Sequence, residues 1–177
     1  MTDDKSNFWN EAGKAGLILG AIPVAYFLLS LLLTKFHIPF LSGLLSFLLW
    51  GTKLWLCIAF LHSCLKKYAP STGLNRQATF RFGMAIAFLS ALVYSAFYFA
   101  YVLFINPDFF SQTFQSLSEA YSSILSSEQL DQMLNMESSM PTITFFVNLF
   151  WCTLFGTIVS AISSSRICGG DDPFRDE

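Results

Sequence analysis

Lys53 is the residue with the clearest chemical potential, because it is the one Lys, Arg, Asp or Glu inside the long apolar run Leu41 to Leu65. An ionisable group at membrane depth is costly and by default indicates a path for a substrate, an ion or a proton. None of the twelve acidic residues falls within an apolar run, so the sequence offers this ammonium group no carboxylate partner. We therefore expect hydroxyl and amide groups to solvate Lys53.

The other apolar runs carry polar side chains at the depth of Lys53, counted from the same end of each run. The sequence predicts a buried polar layer that contains Lys53, Tyr26, Tyr94, Ser95 and Asn148. One interpretation is a pathway for a small solute or a proton. In the other, Lys53 extends its alkyl stem to the exterior interface beside Trp50, while the tyrosines only pack. We favour the second interpretation, because a single cation without an acid is a poor ion relay.

Cys57 and Cys64 lie one heptad apart in the same run with His62 nearby, a spacing that invites a metal-binding interpretation. No second Cys-x-x-Cys or His pair completes a site, so we expect these cysteines to pack as small apolar side chains. The sequence also lacks the motifs of zinc hydrolases, serine hydrolases and phosphate-binding loops. We therefore predict no enzyme activity, no catalytic residues, no metal site and no cofactor.

Four apolar runs must position these residues, and each is long enough for a transmembrane helix, which needs about 20 residues. The chain has 177 residues, of which 54% are hydrophobic, so a soluble core would leave apolar surface uncovered. The first run is longer than the core of a signal peptide and lacks a cleavage pattern after Leu33, so we expect it to be a span. Pro23 inside it predicts a tolerated kink. The predicted fold class is an all-α integral membrane protein with spans at about 15–33, 41–65, 82–105 and 143–162.

Basic residues predict the orientation, since Lys and Arg accumulate on the cytoplasmic side of membrane proteins. They lie in the N-terminal segment, the second connection and the tail, at Lys5, Lys14, Lys66, Lys67, Arg76, Arg81, Arg166 and Arg175. The first connection has only Lys35, and the third has no base. Both termini are therefore predicted to be cytoplasmic. The chain has no basic footprint for nucleic acid.

The third connection, residues 106–142, is too long for a turn and reads as an exterior insert of two amphipathic helices. Asn106 is the predicted cap of the first, with Pro107 at the first helical position. Helical spacing predicts a contact face formed by Phe110, Phe114, Leu117 and Tyr121. The second helix is predicted from a capping box at residues 126–129. This insert either forms a lid over lipid and helix ends, which we favour, or docks a protein partner.

Small residues recur at helical spacing in three of the runs. The first contains a GxxxG motif at Gly16 and Gly20, the third has a small residue at every fourth position from Gly83, and the fourth has Gly156 and Ser160. Such faces permit close helix packing in lipid. We expect them to lie against other helices of the same chain, with homodimerisation as the alternative.

Several of these signals occur together from about Asn7 to Ile167. They are the start NFWNEAGKAG at residues 7–16, a basic second connection before Phe82-Gly83, the break Asn106-Pro107-Asp108-Phe109, and Gly156 ahead of Ser160 and Ala161. In these features the chain resembles the bacterial membrane family labelled domain of unknown function 4199. The resemblance implies a four-helix protein of the bacterial inner (plasma) membrane, and it brings no activity and no site residues.

The functional prediction is a non-enzymatic inner-membrane protein that acts through protein interaction, with the exterior insert and the small-residue faces as contact surfaces. The alternative is a small transporter or channel component that uses the polar layer around Lys53. Expected partners are membrane lipid and either another protein or a second copy of the chain, and no nucleic acid. Residues 1–167 are predicted to form one membrane domain, and residues 168–177 a disordered cytoplasmic tail.

Overall fold

A computed structural model of the chain describes residues 2–34, 39–121, 128 and 136–169, with side chains over 7–32, 47–117, 119, 128, 136 and 138–169. The long helices in these ranges are α1 (Thr2–Thr34), α2 (Pro39–Tyr68), α3 (Arg76–Ala100), α4 (Phe109–Tyr121) and α5 (Met140–Cys168). Short helical turns occupy Ala69–Thr72, Tyr101–Ile105, where the winding is π-helical, and Glu137–Ser139. The described part of the chain contains no β-strand.

Four helical segments are long and apolar enough to cross a membrane, namely Asn7–Leu32, Phe47–Thr72, Arg76–Ile105 and Met140–Cys168. Large apolar side chains such as Leu17, Phe47 and Phe146 are exposed along them. Hydrocarbon tolerates such a surface and water does not. The chain is therefore a multi-pass helical membrane protein, as the sequence predicts.

The chain divides into two compact units, and the first consists of Met1–Tyr94 and Leu149–Glu177. Glycines set the contact between α1 and α3 in this unit. A Cβ atom added to Gly16 would lie 2.7 Å from Leu89 Cβ, and one added to Gly20 would lie 2.9 Å from Val93 Cβ. These distances are shorter than the optimal separation of carbon atoms, so a larger residue would push the two helices apart.

The contact between α3 and α5 is equally close. A Cβ atom on Gly156 would lie 2.5 Å from the Cβ of Ala87, and one on Gly83 would lie 2.5 Å from Ser160 Oγ. The prediction that the small-residue faces bury against helices of the same chain is confirmed by these contacts. A homodimer would therefore need another surface.

An apolar core cluster joins α1, α2 and α3 in the first unit. Aromatic rings extend it, because Tyr68 stacks on Phe82 at a centroid distance of 3.8 Å and Phe8 meets Phe82 edge-on at 5.5 Å. The buried members of the cluster are Ala12, Leu19, Leu61, Leu65, Phe82 and Ile86. This packing closes the end of the first unit at which α2 ends and α3 begins.

The same end holds the short connection from α2 to α3. Gly73 takes a positive φ of 62°, which suits glycine, and Asn75 then caps α3 by accepting hydrogen bonds from the backbone N–H groups of Gln77 and Ala78 at 2.9 and 3.2 Å. The Cys168 thiol at the end of α5 donates to Thr79 Oγ1 at 3.6 Å. The ends of α2 and α5 and the start of α3 therefore share one end of this unit.

The second unit is Ser95–Asn148. It contains the last turns of α3, the π-helical turn, α4 and the start of α5. Phe99 and Phe145 meet edge-on at 5.8 Å, and α4 contacts the turn Glu137–Ser139. Val102 is buried in the π-helical turn.

The predicted start of the insert helix is wrong by two residues. The Asn106 N–H donates to the carbonyl of Tyr101 at 3.0 Å and so completes the π-helical turn instead of capping the next helix. Residues 107 and 108 form a turn, and α4 begins at Phe109, with the Gln112 N–H donating to the Asp108 carbonyl. The second insert helix, predicted from the capping box at residues 126–129, lies outside the described residues, as do residues 170–177 of the tail.

Candidate binding cleft around Lys53

The first unit contains a cavity of about 430 Å³ between its four membrane-crossing helices, which we call the lysine cleft. Its lining side chains are mostly apolar. They are Leu19 and Pro23 from α1, Trp50, Lys53, Leu54, Cys57, Ile58 and Leu61 from α2, Ala87, Ser90 and Tyr94 from α3, and Trp151, Cys152, Phe155, Gly156 and Val159 from α5.

Lys53 is the charged residue of the lysine cleft. Its Nζ atom lies 4.7 Å from the centroid of the Tyr26 ring, so the ammonium group sits over an aromatic face of α1. This is a cation–π arrangement, which stabilises a positive charge without neutralising it. Among the residues that the structure describes, no carboxylate lies within ion-pair distance of Lys53.

Helix geometry explains why these groups meet. Lys53 and Cys57 are four residues apart and therefore share one face of α2. Cys152 of α5 lines the same cleft as both of them. Lys53, Cys57 and Cys152 therefore form the polar part of the cleft together with Ser90 and Tyr94 of α3.

The lysine cleft opens between α2 and α5. Its exposed lining residues all belong to these two helices, and Trp50, Ile58, Trp151 and Phe155 form the rim, with Trp151 68% exposed. The lining residues from α1 and α3 are buried or half-buried and form the floor. Since α2 and α5 are both long and apolar enough to cross a membrane, we expect the opening to face the hydrocarbon of a bilayer.

Three members of the predicted polar layer belong to the first unit. Lys53 contacts Tyr26, and Tyr94 lines the cleft that holds Lys53. The other two, Ser95 and Asn148, belong to the second unit. Ser95 is fully buried there, its hydroxyl has no hydrogen-bond partner among the described residues, and Asn148 is half-buried.

Depth counting along the helices reaches Trp151 of the cleft but misses its two cysteines, Cys57 and Cys152. The four-residue spacing from Lys53 to Cys57 is a signal for a shared face that the sequence does contain. Nothing comparable indicates Cys152, because the face that α5 turns to α2 depends on the glycine contacts of α5 with α3. The sequence indicates the glycine contacts only as a general tendency towards close helix packing.

The predicted contact face of the insert is split between buried and exposed residues. Phe114 is 8% exposed and Phe110 is half-buried, whereas Leu117 is 42% exposed. The side chain of Tyr121 lies outside the described residues. Phe114 therefore contributes to packing, and Leu117 is the member of this face that is open to contact.

The metal interpretation of Cys57, Cys64 and His62 has no further support in the described residues, which contain no cluster of three or more His, Cys, Asp or Glu side chains suited to a metal ion. All four cysteines are unpaired. His37 and Lys35 lie outside the described residues.

The helices and the cleft define a class, a polytopic α-helical membrane protein with a cavity among its spans. Residues 14–167 match the family model described as "Protein of unknown function (DUF4199)", and the chain belongs to this family. The family resemblance seen in the sequence is thus confirmed. No curated protein and no solved structure is detectably similar to the chain.

Proposed function

We propose that this chain is a non-enzymatic membrane protein that binds a small lipid-soluble molecule in the lysine cleft. The observation that carries the proposal is a cavity of about 430 Å³ that is apolar except for one cation and a few weakly polar groups. Sites for small molecules have this size and this composition, with a few polar groups that fix the ligand's orientation.

The packing around the cleft favours binding over ion conduction. An ion needs polar groups along its whole path. Towards the end where α2 meets α3, the lysine cleft gives way to the apolar core cluster around Leu61, Leu65 and Ile86. A transporter that carries an apolar or amphiphilic solute fits this arrangement better than a channel for ions or protons.

Filling the lysine cleft tests this proposal. Cys57→Phe places a large ring in the cavity, whereas Leu56→Phe puts the same ring on the exposed side of the neighbouring position. We expect a small molecule to remain bound to the wild-type protein and to the Leu56→Phe variant during purification, and to be absent from the Cys57→Phe variant. Solvent extraction followed by mass spectrometry measures this difference, and identical extracts from all three folded proteins would contradict the proposal.

A second candidate function is interaction with another protein through α4, and the exposure of Leu117 favours it. This helix lies between the third and fourth spans, and its exposed leucine is an apolar side chain available for contact. A photo-crosslinking amino acid at position 117 should capture a discrete partner in intact cells. The same group at Ser116, an exposed neighbour on another face, is the control. Equal labelling from both positions would count against a specific interface.

We further propose that the protein lies in the bacterial inner membrane with both termini in the cytoplasm. The positions of the basic residues support this orientation. Lys66 and Lys67 lie at the end of α2, Arg76 and Arg81 at the start of α3, and Arg166 in the last turn of α5. These helix ends share one end of the first unit, so the positive charge is concentrated there.

A further inference from the structure

The lysine cleft is polar at one end and apolar at the other. Lys53 and Tyr94 lie at one end, and Leu19, Leu61 and Val159 lie at the other. Leu19 and Leu61 are also members of the apolar core cluster, so this second end is the deeper one. From Trp50 to Leu61 the cleft extends along α2 for about 16 Å at the usual rise of a helix.

The positive charge of Lys53 favours an anionic ligand in the cleft. The Lys53 ammonium group lies over the Tyr26 ring, and the described residues supply no carboxylate. A positive charge in an apolar environment is strongly stabilised by an anion that forms a charge-assisted hydrogen bond with it. The ring covers one side of the ammonium group, and the lysine cleft provides space on another.

The rim of the cleft determines how such an anion arrives. The opening between α2 and α5 is bordered by Trp50, Ile58, Trp151 and Phe155, all exposed on membrane-crossing helices. A molecule that passes this rim comes from the hydrocarbon, so it needs an apolar body. The deep apolar end then accommodates that body.

We propose that the lysine cleft binds a single-chain anionic amphiphile of the fatty-acid class, with its carboxylate at Lys53 and its chain directed towards Leu61. This inference rests on the proposed function and adds the chemistry of the ligand. Leu65 precedes the basic pair that ends α2, and Lys53 lies about 18 Å from it along the helix. In a hydrocarbon core about 30 Å thick this places Lys53 well below the opposite interface. A two-chain phospholipid keeps its headgroup at the interface, whereas a single-chain acid can sink to this depth when its charge is paired.

Tryptophan fluorescence tests the proposal with the full chain in phosphatidylcholine nanodiscs. The probe is dodecanoic acid brominated at mid-chain, which quenches nearby indoles, and the comparison compound is the matching brominated dodecanol. One variant keeps only Trp50 and Trp151, which line the cleft, and a second keeps only Trp9 and Trp55, which do not. We expect saturable quenching by the acid in the first variant, and weak, unsaturated quenching in the second.

Charge variants identify the group that holds the acid. In the background with Trp50 and Trp151, Lys53→Met should weaken binding of the acid at least about tenfold, the effect of losing a hydrogen bond to a charged group. Lys53→Arg should retain binding. Lys66→Met removes an equal charge from the same helix outside the cleft and should leave binding unchanged. If the Lys53→Met protein is not monodisperse, and so not properly folded, the same measurement is made with Lys53→Gln.

The outcomes separate the two proposals. If the brominated alcohol binds as tightly as the acid and Lys53→Met has no effect, the anionic ligand is wrong and the proposed function stands. If both tryptophan pairs are quenched equally without saturation, the probe only partitions into the bilayer and the fatty-acid proposal fails, while the proposed function is decided by the extracts of the Cys57→Phe and Leu56→Phe variants. If phosphatidylglycerol in the disc displaces the acid, the occupant is a bilayer lipid and the assignment to a single-chain acid is overturned.

Discussion

At the scale of the residue, Lys53 lowers the stability of the span that contains it. Placing a lysine at the centre of a membrane helix costs about 2.5–3.5 kcal/mol on insertion scales. A desolvated cation–π contact returns about 2 kcal/mol. The contact with Tyr26 therefore offsets part of the cost and leaves a remainder, which a bound anion would reduce.

A double-mutant cycle measures the contact between Lys53 and Tyr26. Tyr26→Leu removes the aromatic face and should destabilise the protein by about 1 kcal/mol in the presence of Lys53. In a Lys53→Met background the same substitution should cost much less, because there is no charge for the ring to stabilise. Thermal unfolding in detergent reports the differences, and Tyr26→Phe, which keeps the ring, is the control. Equal costs in both backgrounds would show that the ring only packs.

The sequence predicts part of this site, because the rise of a helix is fixed and depth can be counted. Tyr26 and Tyr94 are found near Lys53 or in its cleft for this reason. Rotation about the helix axis is harder to predict. Ser95 follows Tyr94 by one residue and therefore points about 100° away from it around a helix of 3.6 residues per turn. Counting depth cannot distinguish two such neighbours. For the same reason it does not predict the rotation of α5 about its axis that brings Cys152 to the cleft.

At the scale of the element, the small residues of the spans are packing sites whose partners emerge only in the fold. The GxxxG motif of α1 predicts close packing, and it is filled by Leu89 and Val93 of α3. Gly156 of α5 faces Ala87 of α3 in the same way. A small residue indicates that another helix packs closely against it, but it does not identify that helix. The reason is that lipid provides no hydrophobic driving force that would favour one partner helix over another.

Adding one methyl group to α5 tests this packing. Gly156→Ala should destabilise the protein by about 1–3 kcal/mol, because the new Cβ would lie 2.5 Å from that of Ala87. Ala87→Gly in the same chain should recover most of the loss by removing the opposing atom. Gly51→Ala is the matched control, since nothing lies within 4 Å of its added Cβ. The contact would be refuted if Gly156→Ala and Gly51→Ala melt at the same temperature in detergent.

At the scale of the whole molecule, the distribution of charge predicts the orientation of the protein in the membrane. The described bases of the connection from α2 to α3, together with Arg166, lie at one end of the first unit, while the segment between the third and fourth spans contains only acidic charges. Hydrocarbon thickness alone predicts where the chain crosses, and this part of the fold was therefore predictable. The charge asymmetry adds the direction, which no contact within the protein can supply.

Thiol labelling in intact cells tests the proposed membrane orientation with cysteines that replace two glutamines. In a background in which the four native cysteines are replaced, Gln112→Cys in α4 and Gln77→Cys in α3 both present exposed side chains. A membrane-impermeant maleimide should modify position 112 and leave position 77 unmodified until the cells are opened, because the proposed orientation places the positive end of the first unit in the cytoplasm. Labelling only at position 77 in intact cells would reverse the orientation. It would also place α4 in the cytoplasm, where the crosslinked partner of Leu117 would then have to be sought.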